Sequence, residues 1–274
     1  MKKHLLIAFF LLASLNSFSQ IVQVHVGATS AVNATFVLDK GLSEDPRYNS
    51  TYTYNFAPIG FNVGVDFKRK FGLSLEAIKS TQGQIYELID AAERIRGERK
   101  IDLSYIHLPL LLRFMSAGNS GARANFNIGP QLSLLTAARE SIEAQAGVYT
   151  IPDGVNFESI KQEFPTAMDR GDGTYELPQD VPSKDLYTKK ANDFKNKEFA
   201  IAAALGLDID LSKNIYLTTQ IRANYSLTDM RNGDVIEKIK SGNGGDIFGQ
   251  RANLIVGFQL GLHYMFGKTA SFRN

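Results

Sequence analysis

The chain has 274 residues, 30 of them Lys or Arg against 28 Asp or Glu, and it contains no Cys. Without a thiol it has no disulfides, no Cys-based metal site and no lipoprotein signal. Near-balanced charge without a basic run supplies no long-range field, so no nucleic-acid partner is expected.

Lys2, Lys3 and His4 precede an apolar run from Leu5 to Leu15, the basic and hydrophobic regions of a secretory signal, too short to cross a bilayer as a helix. Small residues Ser17 and Ser19 flank Phe18, which places cleavage after Ser19. Residues 1–19 therefore read as a signal peptide and 20–274 as one domain. Taking Lys2 and Lys3 from the 30 basic residues leaves 28 against 28 acidic, a formally neutral mature chain. Past the signal, Gly, Asn, Gln, Asp and Arg break every apolar run well short of the ~20 residues of a membrane helix, so helical spanning is not expected.

The remaining chain alternates with period two. A first, softer strand is expected over 22–35. Ile59, Phe61, Val63, Val65 and Phe67 alternate with Gly60, Asn62, Gly64 and Asp66. Softer strands follow over 72–84 and 102–114, the latter blurred by Pro109 and a nearly solid apolar run from Leu108 to Leu112. Phe126, Ile128, Leu132 and Leu134 alternate with Asn125, Asn127, Gln131 and Ser133; Phe199, Ile201, Leu205 and Leu207 with Ala202, Gly206 and Asp208. Ile215, Leu217, Ile221 and Tyr225 alternate with Thr218, Gln220, Arg222 and Asn224, and from Leu254 to Phe266 every even position is apolar while the odd ones include Gly257, Gln259, Gly261 and His263. Pro109 and Pro130 lack a ladder donor and mark bulges or interrupted pairing.

Short links at 68–71, 116–121 and 212–214 alternate strictly with long polar ones at 39–53, 85–100, 138–197 and 229–250. Short periplasmic turns and long extracellular loops in that order characterise an outer-membrane barrel. The expected fold is thus all-β, a closed antiparallel transmembrane β-barrel of about eight strands in the outer membrane of a Gram-negative bacterium, with membrane lipid as its surroundings. The polar face agrees: it is mostly Gly, Asn, Gln, Ser and Thr, which suits a crowded narrow lumen better than the Lys- and Glu-rich exterior of a soluble sandwich.

On that phase His25, Asp66, Glu76, Arg113, Arg123, Asp208, Asp210, Arg222 and His263 point inward as a polar network. Opposite charges in a closed lumen should pair, because an isolated buried ion is costly. As function they would line a narrow ion path; as structure they plug the lumen, the reading favoured here. His25 and His263 lie near the periplasmic ends of strands that must pair at the seam. They read either as a proton-sensitive or metal-binding pair or, more simply, as lumen fillers. No cofactor, metal or catalytic residue is assigned: there is no Gly-x-Ser-x-Gly elbow, and no Ser-His-Asp set falls on one rim. Asp169-Arg-Gly-Asp172-Gly lacks EF-hand spacing and reads as a surface turn.

The third loop, 138–197, exceeds the usual ~15 residues and reads as a cap or docking surface for a protein partner, or as a plain solvated loop. Spacings at 157–164 and 183–194 predict short helices, the second capped by Ser183.

Tyr105-Ile-His-Leu-Pro-Leu-Leu-Leu-Arg113, then Phe126-Asn-Ile-Gly-Pro-Gln-Leu132, the Ala204-Leu-Gly-Leu-Asp208 core and the closing strand 253–267 make the chain resemble the PorT-like outer-membrane β-barrel family of Bacteroidetes. The resemblance implies an outer-membrane barrel; the family's named member is associated with the type IX secretion and gliding apparatus, while most members are barrels without a known task. The expected function is that of a non-enzymatic anchor or assembly component working through its extracellular loops; the alternatives are a small pore or a membrane-embedded hydrolase.

Overall fold

The computed structural model describes residues 22–117, 121–187 and 193–266. The expected signal peptide lies outside the described residues. In chain order the strands are β1 Val22–Asp39, β2 Tyr48–Thr51, β3 Thr53–Phe67, β4 Phe71–Ile89, β5 Ile95–Met115, β6 Ala122–Ala144, β7 Gly147–Thr150, β8 Met168–Asp169, β9 Thr174–Leu177, β10 Val181–Tyr187, β11 Lys197–Asp210, β12 Ile215–Ser226 and β13 Arg251–Phe266. Three short helices, Lys40–Glu44, Phe157–Glu163 and Gly233–Lys240, sit in the long connections.

Eight strands pair antiparallel in a ring, β1-β3-β4-β5-β6-β11-β12-β13, and β13 returns to β1. The register measures the closure. Stepping across the ladder from Phe266 through Val24, Val65, Leu73, Leu112, Ile128, Ala203 and Ala223 leads back to Val256, ten residues further along the starting strand. A stagger of that size on eight strands tilts them by about 40° and leaves an interior that side chains fill.

The strand phase follows from the alternation. Phe61, Leu205, Ile221 and Leu262 stand outward and exposed, while Asn62, Asn125, Gln220 and Gln259 are buried inside. The β5–β6 ladder skips Leu110 and Leu111 opposite Gly129 and Pro130, where proline supplies no donor.

Three expectations change. The link read at 85–100 shrinks to the five residues Asp90 to Arg94, because β4 and β5 climb well past the lipid-facing zone. The long loop read at 138–197 is largely ordered: β6 runs to Ala144, and β7, β9 and β8 form a separate small sheet. The helix read at 157–164 is present, with the Asn156 side chain accepting from Glu158 N–H. The helix read at 183–194 is instead β10, paired with the exposed edge of β6 from Glu140 to Ala144, so pairing overrides local spacing; residues 188–192 lie outside the described set.

A register shift between Ser104 and Tyr105 against β6 swaps which β6 residues face inward. Below it Gln131 and Ser133 are buried; above it Glu140, Ile142 and Ala144 are. The strands above this level enclose an apolar core in which Tyr86, Leu88, Ile101 and Leu103 meet Ile160, Phe164, Tyr175 and Leu177 from the loops.

Candidate functional site: the barrel interior and its cap

The lower lumen is organised around Arg113. Its guanidinium stands 3.2 Å from Asp66 Oδ1 and 3.0 Å from Asp208 Oδ2. It also donates to His25 Nε2 at 2.9 Å, while His25 Nδ1 lies 3.3 Å from Asp66 Oδ2. One tautomer, with the proton on Nδ1, satisfies both contacts. The His25 lone pair is thus taken by a guanidinium donor, and the two histidines do not offer a pair of free nitrogens to a metal. His25 does meet His263, edge to face at 5.8 Å, and His263 stacks on Tyr216 at 4.6 Å. Glycines make the room: a Cβ on Gly64 would fall 2.5 Å from the His25 ring, and one on Gly27 2.3 Å from His263 Nδ1.

Asp208 also accepts from Asn125 and from Thr218, each at 2.8 Å. Nearer the periplasmic mouth Arg123 pairs with Asp210 at 2.8 Å. Arg69, held in a tight turn where Lys68 and Arg69 both have φ of 51°, turns back to donate to Gln23 at 3.0 Å and to reach Asp210 at 3.5 Å. One level up, Arg222 grips Glu76 with two bonds of 2.6 and 3.0 Å, the fork geometry that suits arginine. Two cavities of about 20 Å³ flank this pair, one lined by Thr29, Asn62 and Gln220, the other by Asn33, Ser80 and Asn224. Each has room for about one water.

All nine residues read from the sequence lie in this interior, but as three groups: His25, Asp66, Arg113, Asp208 and His263 together, Arg123 with Asp210, and Glu76 with Arg222. Arg69 and Tyr216 join them unannounced, the first from a turn and the second as an ordinary aromatic.

A second ion network closes the extracellular end. Arg99 lies 2.6 Å from both Glu140 and Asp246; Arg251 reaches Asp246 at 3.0 Å and also binds Asp39. Arg47 pairs with Asp45 at 2.7 Å and donates to the Gly245 carbonyl at 2.8 Å. These bonds tie the first and fourth loops to β5, β6 and β13. Above them Tyr149 and Tyr175 stack at 5.5 Å, with Phe164 6.4 Å from Tyr175.

Residues 18–232 match the family described as outer membrane protein beta-barrel domain. The chain belongs to that family. Among solved structures it is similar to the outer membrane protein OprG from Pseudomonas aeruginosa, at 11% identity over 90% of this chain and 96% of that one, with a TM-score of 0.38. It is similar also to Neisserial surface protein A, at 8% identity over 87% and 95% with a TM-score of 0.37. The attachment invasion locus protein Ail of Yersinia pestis is similar at 9% identity over 89% and 99%, with a TM-score of 0.36. No curated protein matches the chain.

As an outer membrane β-barrel the protein sits in the outer membrane, with its apolar wall against lipid. The short turns then face the periplasm and the ordered cap faces outward. In the cap, burial pulls the Asp246 carboxyl upward, but Arg99 and Arg251 outweigh it and hold the group well below the usual carboxylate range. At the β4–β5 tip burial likewise opposes ionisation of Asp90, yet bonds from Arg94 and Ala92 bring it down to about 2. Glu163 goes the other way: burial raises it, and Arg99 offsets only part of the cost.

Proposed function

We propose that this outer membrane barrel is a non-enzymatic anchor whose lumen is plugged and whose cap is the working surface. The observation that carries the reading is the double filling of the interior, with Arg113, Asp66 and Asp208 below and Arg99, Asp246 and Arg251 beneath an apolar cap above. A filled interior leaves the loops as the part able to meet another molecule. The likeness to the PorT-like family supports a partner in a secretion or surface complex of the type IX kind. Two exposed cations on the cap, Lys161 and Arg170, give a handle.

The test is affinity purification from native outer membranes. Wild type is expected to bring down a stoichiometric complex, and the double variant Lys161→Glu, Arg170→Glu to lose it while keeping the heat-dependent gel mobility of a closed barrel. A wild-type barrel recovered alone would overturn the anchor reading. Hydrolysis of lipid or peptide substrates by the pure protein would replace it with the membrane-embedded hydrolase.

A further inference from the structure

The ladder between β3 and β4 is interrupted near the top of the lipid-facing wall. The two strands pair from Phe67 and Phe71 up to Gly60 and Ile78. They next meet where the Thr53 hydroxyl stands 3.5 Å from the Gly83 carbonyl, a contact reinforced at 3.0 Å by Thr35 reaching across from β1. Between these anchors β3 runs from Tyr54 to Ile59 while β4 runs only from Lys79 to Gln82, and Pro58 has no N–H to give. The surplus falls at Pro58 and Ile59, which together stand opposite Ser30 of β1; beyond it Phe56 and Tyr54 are back in register with Val32 and Ala34 and face outward, 63% and 72% exposed.

Lys79 and Thr81 face outward on the other side of this seam. With a rise of 3.3 Å per residue and the 40° tilt, Lys79 stands about 25 Å above Phe266, at the upper edge of the apolar band. Among the described residues it has no ion-pair partner, whereas Lys100 higher on the wall is paired with Asp102 at 3.3 Å. An ammonium on the lipid face is stable only if it reaches the headgroup layer and finds an anion there. The flat rings of Tyr54 and Phe56, amphipathic and apolar, suit the boundary between sugar and acyl chain.

We infer that the β3–β4 seam is a binding site for one phosphorylated glycolipid of the outer leaflet, its phosphate on Lys79 and Thr81 and its sugar–acyl boundary over Tyr54 and Phe56. The anion and the aromatic platform lie at one height, and a phosphorylated sugar bearing acyl chains meets both; an anionic phospholipid meets only the first.

Wild type, Lys79→Met, Tyr54→Ala and, as a control, Lys100→Met are purified from native outer membrane in mild detergent, checked for heat-dependent mobility, and weighed by native mass spectrometry. Wild type and Lys100→Met are expected to retain one glycolipid; Lys79→Met should retain about fivefold less, the equivalent of about 1 kcal/mol per lysine at a lipid surface. Delipidated wild type should bind added lipopolysaccharide in preference to phosphatidylglycerol, and Tyr54→Ala should lose that preference. Equal retention by wild type and Lys79→Met, or equal binding of the two lipids by wild type, overturns the site.

Discussion

The lower and upper halves of the ring are built from the same strands but filled in opposite senses. On β5, Leu110, Leu112 and Phe114 stand outward below while Arg113 and His107 are buried; above, Lys100 and Asp102 stand outward while Ile101 and Leu103 are buried. Below, the surroundings are hydrocarbon, so apolar groups face out and ions must find partners inside. Above, the surroundings are water, and the apolar groups turn inward to a core completed by the cap. The change of solvent along one strand decides which face is greasy, and the register shift in β6 near Leu135 lets that strand follow.

The contrast can be broken most severely at Arg113. Arg113→Leu leaves Asp66 and Asp208 buried without their shared partner, and removing one member of such a group costs about 3 to 5 kcal/mol; urea unfolding in detergent micelles should show a loss of that order. The corresponding error on the other face is Leu260→Arg, a charge on the lipid-facing wall, expected to cost about 2 to 4 kcal/mol and to lower the yield of heat-modifiable barrel. Equal tolerance of both variants would mean that the lumen and lipid faces have been exchanged.

Acid separates the halves more gently. Asp90 has a depressed carboxyl, so its contribution to the β4–β5 tip is complete above its unfolded value near 4 and is lost as pH falls through about 2. Proteolysis at that tip should therefore rise between pH 4 and pH 2, and in Asp90→Asn this rise should be absent. Glu163 has a raised carboxyl, so its burial penalty is absent below its unfolded value and grows as pH rises above it. Glu163→Gln should slow hydrogen exchange in the helix Phe157–Glu163 at neutral pH and leave it unchanged near pH 4. This is the smallest effect expected, and an unchanged rate at both pH values would show that Glu163 is solvated rather than buried.

The lower half was readable because alternation with greasy residues outward persists over whole strands, as from Leu254 to Phe266, and because inward charges such as Glu76 and Arg222 stand out on a polar face. The upper half was not, since its alternation is inverted: Lys100, Asp102 and Glu98 look like loop residues until Ile101 and Leu103 are seen to pack inward on the cap. The same inversion hid Arg99, Arg251 and Asp246, which lie far apart in the chain and meet only when the first and fourth loops fold over the mouth. Arg69 was hidden differently, because only left-handed backbone at Lys68 and Arg69 turns a surface cation back into the lumen. At β10 a helical spacing lost to an available strand edge.

Ion conduction tests the plugged interior most directly. Purified full-length barrel inserted in planar bilayers is expected to show no steady current, since eight strands with paired ions below and an apolar cap above leave no continuous water path. Robust single-channel currents from the intact protein would contradict that account and make the chain a small pore.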